Sequence, residues 1–207
     1  MSKPACFVVV LSLLAGGAIA QSSDLIISEV VDGVYNNQAI EIYNPTDEAV
    51  EIANYQLHFH IHTGGVFLAG PHQAHSIAPG ETYVMVDERA DMDLKMLADD
   101  SSSQLPYHGT NTILLVRDDI IVDSIGQRNV DSSSGWLCTE GSTIDHTLRR
   151  LPDICSGDTN PDDVFDPCQE WAFFPLGTYD GLGSHTANCE PVDVEVETWG
   201  SLKSSFR

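Results

Sequence analysis

Three histidines, His58, His60 and His62, stand at every second position of "QLHFHIHTGG" (56–65). Successive side chains of a strand point to opposite faces, so this spacing gathers the imidazoles on one face and Leu57, Phe59 and Ile61 on the other. Two imidazoles two residues apart can share Zn²⁺ or copper, but a complete site needs ligands from elsewhere. His72 and His75 are the nearest in sequence. The simpler expectation is a polar strand face whose apolar side turns to the core. A second cluster, "GDTNPDDVFDP" (157–167), sets Asp158, Asn160 and Asp162 at alternate positions, with Asp163 and Asp166 close behind. Hard oxygen ligands at this density suit Ca²⁺, which takes six to eight oxygens, and Asp158, Asn160, Asp162 and Asp166 are the candidate ligands. The loop is no EF-hand: counted from Asp158, its sixth position is Asp163 rather than glycine and its twelfth is Gln169. The competing reading is a solvated turn in which Asp and Asn cap their own backbone.

Motifs for catalysis are missing. The chain has no G-x-S-x-G, no H-E-x-x-H and no phosphate-cradling glycine loop. Asp145–His146 and Ser184–His185 are neighbours in sequence, which does not make a triad. A non-enzyme is therefore expected, with a secreted hydrolase of unrecognised site as the alternative.

The compartment is read from the N-terminus and the cysteines. Lys3 precedes the apolar run "ACFVVVLSLLAGGAIA", and Ala18 and Ala20 form an A-x-A cleavage site before Gln21. Residues 1–20 are thus expected to be a cleaved signal peptide, leading to an extracellular or periplasmic, cell-surface location. Cleavage leaves Cys138, Cys155, Cys168 and Cys189, an even number in an oxidising compartment, which reads as two disulfides. Three pairings are open. The shortest loops favour Cys138–Cys155 with Cys168–Cys189, each bridge stabilising by about 3 kcal/mol through restriction of the unfolded chain. The formal charge is −22, and loss of Lys3 with the leader leaves the mature chain one unit more acidic. Such a surface repels phosphate backbones and anionic lipid, so direct nucleic-acid binding is not expected.

The elements that must position these residues read as short strands between turns: 24–31, 39–44, 49–62, 81–87, and a hairpin over 111–126 turning at Arg117–Asp119. Only 90–100 invites a helix. "SSSQ" (101–104) and "DSSSG" (131–135) read as loops. The pattern predicts an all-β, antiparallel sandwich or barrel. Ile26, Ile40, Ile42, Leu57, Val84, Val86, Leu114 and Val116 are the expected inter-sheet residues, and Asn36–Asn37 the expected left-handed turn. If Arg149 and Arg150 lie on a strand, only one of them can face inward.

"DLIISEVVDGVYNNQAIEIYNPTDEAVEIANYQL" adds order to this alternation: an I-S-E strand, a loop ending N-N-x-A, an E-I-Y-N strand and a V-x-I-x-x-Y-x-L strand. It resembles the lamin-tail domain (LTD) of secreted bacterial proteins. "APGETYVMVDERAD", "NTILLVRDDIIVDSIGQ" and the segment from "TLRRLPDICSG" to "GLGSHT" are similar to its later parts, so the resemblance runs over about 24–186. It implies an immunoglobulin-like β-sandwich and a non-catalytic module for binding, adhesion or assembly. The coiled coil and nuclear-import signals of true lamins are missing, so filament and chromatin roles are not implied.

The expected organisation is a signal peptide (1–20), a lamin-tail-like domain (21–190), and an acidic linker with a short tail (191–207). In the tail, Trp199, Leu202, Lys203 and Phe206 recur at helical spacing, which fits a docking or sorting tag or a frayed end. The expected partner is a cell-surface protein or polysaccharide, no cofactor is required, and Ca²⁺ is the one candidate ion. A structural surface-layer component is the remaining alternative.

Overall fold

Runs of β-branched residues broken by Gly, Pro and Asn fold into two packed sheets. The computed structural model describes residues 24–61 and 63–188, all within one compact unit. The expected leader, His62, Cys189 and the tail lie outside the described residues. In chain order the strands are β1 (Ile26–Val31), β2 (Ala39–Tyr43), β3 (Val50–Glu51), β4 (Tyr55–His60), β5 (Val66–Ala69), β6 (Ser76–Ile77) and β7 (Thr82–Asp87). Helix α1 (Met92–Lys95) follows, then β8 (Asp100–Ser102), β9 (Thr112–Arg117), β10 (Ile120–Ile125), β11 (Leu137–Cys138), β12 (Gly141–Ser142), β13 (His146–Arg150) and β14 (Trp171–Pro175).

The larger sheet has the order β14-β13-β1-β2-β7-β8 and the smaller β10-β9-β4-β5; β3–β6 and β11–β12 form two-stranded ribbons. Pairing is antiparallel except for β7–β8. This is the immunoglobulin-like sandwich expected, with one correction: 101–104 is not wholly a loop, because Asp100–Ser102 pairs in parallel with the β7 edge. The β9–β10 hairpin turns where expected, at Asp118 (φ 48°) and Asp119 (φ 66°), positive angles that a two-residue hairpin loop requires and Asp tolerates.

The space between the sheets is filled by Ile27, Val30, Ile40 and Ile42 from one side and Leu57, Phe59, Ile113 and Leu115 from the other, with Trp171 beside them. Ladder irregularities make this possible at two places. The register of β1 shifts between Ile27 and Glu29, so Ile27 and Val30, three apart, both face inward. β10 shifts between Ile121 and Asp123, and there Val122 and Ile125 share the core. Truncating a core side chain of this size, Phe59→Ala for example, costs about 3–5 kcal/mol.

Ile40, Ile42 and Leu57 occupy the expected inter-sheet positions, but the other five do not. Val84 and Val86 join Val31, Ala39, Ala90, Leu94 and Leu182 in a second apolar cluster on the far face of the larger sheet. Leu114 and Val116 pair with His58 and Gln56, away from the core, and Ile26 is buried outside both clusters. The cause is a sheet buried on both faces. Every residue of β2 is buried, Glu41 included, because the segment after β7 and the chain near Leu182 cover its outer side. Alternation between apolar and polar residues then no longer reports which face is inward. The expected Asn36–Asn37 turn is also displaced: Tyr35 takes the left-handed backbone (φ 60°), while Asn37 donates to Asp91 Oδ2 and accepts from Asp91 N–H at the start of α1.

Candidate functional site

Two clusters of charged side chains are buried, and charged side chains also border open clefts. The first lies between the sheets. Asp123 on β10 accepts from Ile27 N–H (2.7 Å), Ser124 N–H (2.8 Å), Asp158 N–H (2.9 Å) and Arg150 Nη2 (2.7 Å). Arg150 also donates to Ile27 O and, through Nη1, to Glu170 Oε2, while its guanidinium lies 4.5 Å from the Trp171 ring centre. The side chains of Arg150 and Asp123 have no exposed surface. Of the two neighbouring arginines, Arg150 is therefore the inward one. This ion pair ties β10 of one sheet to β1 and β13 of the other, so its role is structural.

The second place is on the outer face of the larger sheet. The ladder pairs Glu29 with Glu41, and both are buried. Glu41 accepts from Ser28 Oγ (2.6 Å) and Gly183 N–H (2.6 Å); Glu29 Oε2 accepts from Arg149 Nε (2.8 Å), and Glu29 Oε1 has no hydrogen-bond partner. Burial pushes the Glu29 carboxyl up to about 7; Arg149 opposes the shift and Glu41 adds to it. Arg149 is shared with Asp180 and lies 4.1 Å over Phe174. A Cβ on Gly181 would stand 2.2 Å from Glu29 Oε2 and 2.3 Å from Arg149 Nε, so a larger residue there would have to displace the pair. A carboxyl near neutrality is a candidate acid or base. Glu29, however, is 2% exposed beneath Gly181, where no substrate meets it.

The third place is an open cleft of about 530 Å³ at one end of the smaller sheet, between the β4–β5 turn and the chain after β10. His60, Gly65, Val66, Gln127, Arg128 and Asn129 are among its walls. Its rim is braced from below by the acidic loop. Asp162 accepts from Arg128 Nη2 (2.7 Å), Arg128 Nε (3.1 Å) and Asn129 Nδ2 (3.2 Å), and Asn129 takes a left-handed backbone (φ 62°) at that corner.

The brace changes the reading of the expected Ca²⁺ ligands. Asp158 accepts from Ser124 Oγ and from Asn160 N–H, Asp162 holds Arg128, and Asp166 caps Cys168 N–H and accepts from Gln169 Nε2. Among the described residues, ligand atoms of three such side chains converge only at Cys138, Asp166 and Cys168, and two of these are the sulfurs of one disulfide. The carboxylates of Asp158, Asp162 and Asp166 are thus not brought together, and each serves a turn or an ion pair. The disulfide also corrects the expected pairing. Cys138 bonds Cys168, stapling the β11–β12 ribbon to the acidic loop, because the sandwich brings these distant segments within 5.8 Å between Cα atoms. Cys155 is disulfide-bonded as well.

The histidine face follows the expected alternation: Tyr55, Leu57 and Phe59 are buried, while Gln56, His58 and His60 point the other way. Burial lowers the pKa of both His58 and His60. His72 and His75 do not join them; His72 meets Asp100 and His75 lies against Tyr83. His146 Nδ1 faces Ile144 O, and His185, pushed down to about 4 by burial, has no partner at Nε2. Among the described residues, neither forms a couple with a hydroxyl nucleophile.

Sequence reasoning missed the Glu29–Glu41 pair and the cleft. The first had a faint signal, since a Glu at the centre of each of two apolar strands is unusual for a buried sheet. The second had none, because its walls come from segments far apart in the chain.

Comparison with known families decides the relationship. The family model described as Lamin Tail Domain matches residues 18–129, more than half of the chain. The chain belongs to the lamin-tail domain family. In this lamin-tail domain the matched segment ends at Asn129, the corner braced by Asp162, while β13 and β14 complete the larger sheet from beyond it. No curated protein and no solved structure matches the chain.

Proposed function

We propose that this lamin-tail domain is a secreted, non-catalytic binding module that attaches to a protein or polysaccharide at the cell surface. The observation that carries this reading is the contrast in accessibility among its polar clusters. The two buried clusters are committed to holding strands together, whereas the cleft by Gln127, Arg128 and Asn129 opens to solvent. Amide and guanidinium groups beside the backbone of Gly64 and Gly65 supply hydrogen-bond donors and acceptors, and Val66 and Val130 supply apolar contact, a mixture that suits a sugar chain or an extended peptide. Export is supported by the leader-like run over 1–20 and by the Cys138–Cys168 bridge, which persists in oxidising surroundings. No described helix is long and apolar enough to cross a membrane. The acidic surface directs the module away from nucleic acid. The reading invokes no Ca²⁺, in keeping with an acidic loop whose Asp158 and Asp162 cap a turn and pair with Arg128.

The test is retention of the purified, oxidised mature chain on separated cell-surface protein and polysaccharide fractions. Gln127→Ala combined with Val130→Ser should abolish retention at unchanged melting temperature. Undiminished retention of that variant would place the binding surface elsewhere.

A further inference from the structure

β5 is the edge of the smaller sheet, with β4 on one side and no described strand on the other. Its residues Val66, Phe67 and Leu68 are 49%, 46% and 48% exposed, three large apolar side chains in a row. Sheet edges are ordinarily guarded by charge, Pro or a bulge. Here the segment 63–70, "TGGVFLAG", carries no charge and no Pro, in a chain whose formal charge is −22.

The ladder also shows which backbone groups are open. Ile61 N–H donates to Gly65 O, and β4 pairs with β5 as Phe59↔Phe67 and Leu57↔Ala69. In an antiparallel pair, hydrogen-bonded and non-bonded positions alternate. Gly65, Phe67 and Ala69 therefore turn their backbone groups towards β4, and the N–H and C=O of Val66 and Leu68 point outward.

We propose that β5 pairs antiparallel with β5 of a second copy of this chain, about a two-fold axis through Phe67. That register sets Val66 opposite the second copy's Leu68, and Leu68 opposite its Val66, so the outward N–H and C=O groups of both strands close hydrogen bonds. Phe67 then faces its own counterpart at a non-bonded position, where cross-strand side chains approach most closely. Phe67 stands opposite the fully buried Phe59, so the two rings cover the open rim of each core. Charge marks the place of contact rather than the occupant, which the self-complementary register selects. Two copies of so acidic a chain repel over most of their surfaces, and an uncharged edge is where they can touch. The two-fold pairing uses each β5 once, so it closes as a dimer and does not propagate. Val66 lines the cleft as well, so the paired edge borders it, but the pairing does not rest on which ligand the cleft takes.

The experiment is sedimentation equilibrium of the oxidised mature chain from micromolar to millimolar concentration, at low and high salt. A monomer–dimer equilibrium that tightens as salt screens the acidic surfaces is expected. Leu68→Lys, on the half-exposed outer face, should remain monomeric throughout. Phe67→Cys should form a disulfide-linked dimer on mild oxidation, because the axis sets residue 67 against itself, and this readout serves even where Leu68→Lys fails to fold. A parent chain that stays monomeric at every concentration overturns the proposal, and so does a Leu68→Lys variant that dimerises like the parent.

Discussion

The two sheets of this lamin-tail domain handle polar side chains in opposite ways. The larger sheet is covered on both faces, and it encloses Glu29, Glu41 and Arg150 in contacts made within the chain. The smaller sheet is covered on both faces along β9, and only at its β4–β5 end does it leave a cleft, a half-buried histidine face and an edge with no described partner strand. The same strand chemistry thus yields a scaffold on one side and an accessible surface on the other. Burial decides which charges hold the fold and which remain available.

Breaking the closed side should have the largest effect. Arg150→Ala leaves Asp123 and Glu170 without their shared partner, and removal of one member of a buried pair costs about 3–5 kcal/mol; urea unfolding would record it as a lower midpoint. Opening the bridge with Cys138→Ser and Cys168→Ser releases a loop with a sequence separation of 30 and should cost about 3–4 kcal/mol in the same measurement.

Glu29 sharpens the comparison through pH. Its carboxyl keeps its proton up to about 7 in the folded chain, against 4.5 as the ordinary value. Between those values the folded state holds more protons than the unfolded one, so stability falls as pH rises. The contribution is complete below 4.5 and is lost as pH passes through about 7. Its slope is at most about 1.4 kcal/mol per pH unit. Glu29→Gln should flatten this part of a plot of unfolding free energy against pH, and an unchanged slope would show that Glu29 is ionised in place. The smallest effect belongs to the open side. Arg128→Ala removes an ion pair to the solvent-screened Asp162 and should leave the unfolding midpoint nearly unchanged. A loss as large as that of Arg150→Ala would erase the distinction between the two regions.

Much of the fold was legible because its signals are local. The 111–126 hairpin carries Asp118–Asp119 between two apolar runs, and β4 alternates cleanly because one of its faces is open. The same rule failed for Val84 and Val86, since a strand buried twice is apolar at both parities. The acidic loop was visible as a cluster, but not its use: nothing near Asp162 in sequence announces Arg128, which reaches it only through the fold. The cysteine pairing failed for the same reason, because short loops in sequence do not override the distances set by packing sheets. The Glu29–Glu41 pair depends on the cover formed by Gly181 and Gly183, far from either strand in sequence.

Amide hydrogen exchange of the chain, alone and with the cell-surface fraction that retains it, tests the division between scaffold and binding surface most directly. Slowed exchange at 64–66 and 127–132, with none at 180–184, is the predicted result. Protection at 180–184 with the cleft unchanged would contradict it, and would move the binding surface to the sealed side of the sandwich.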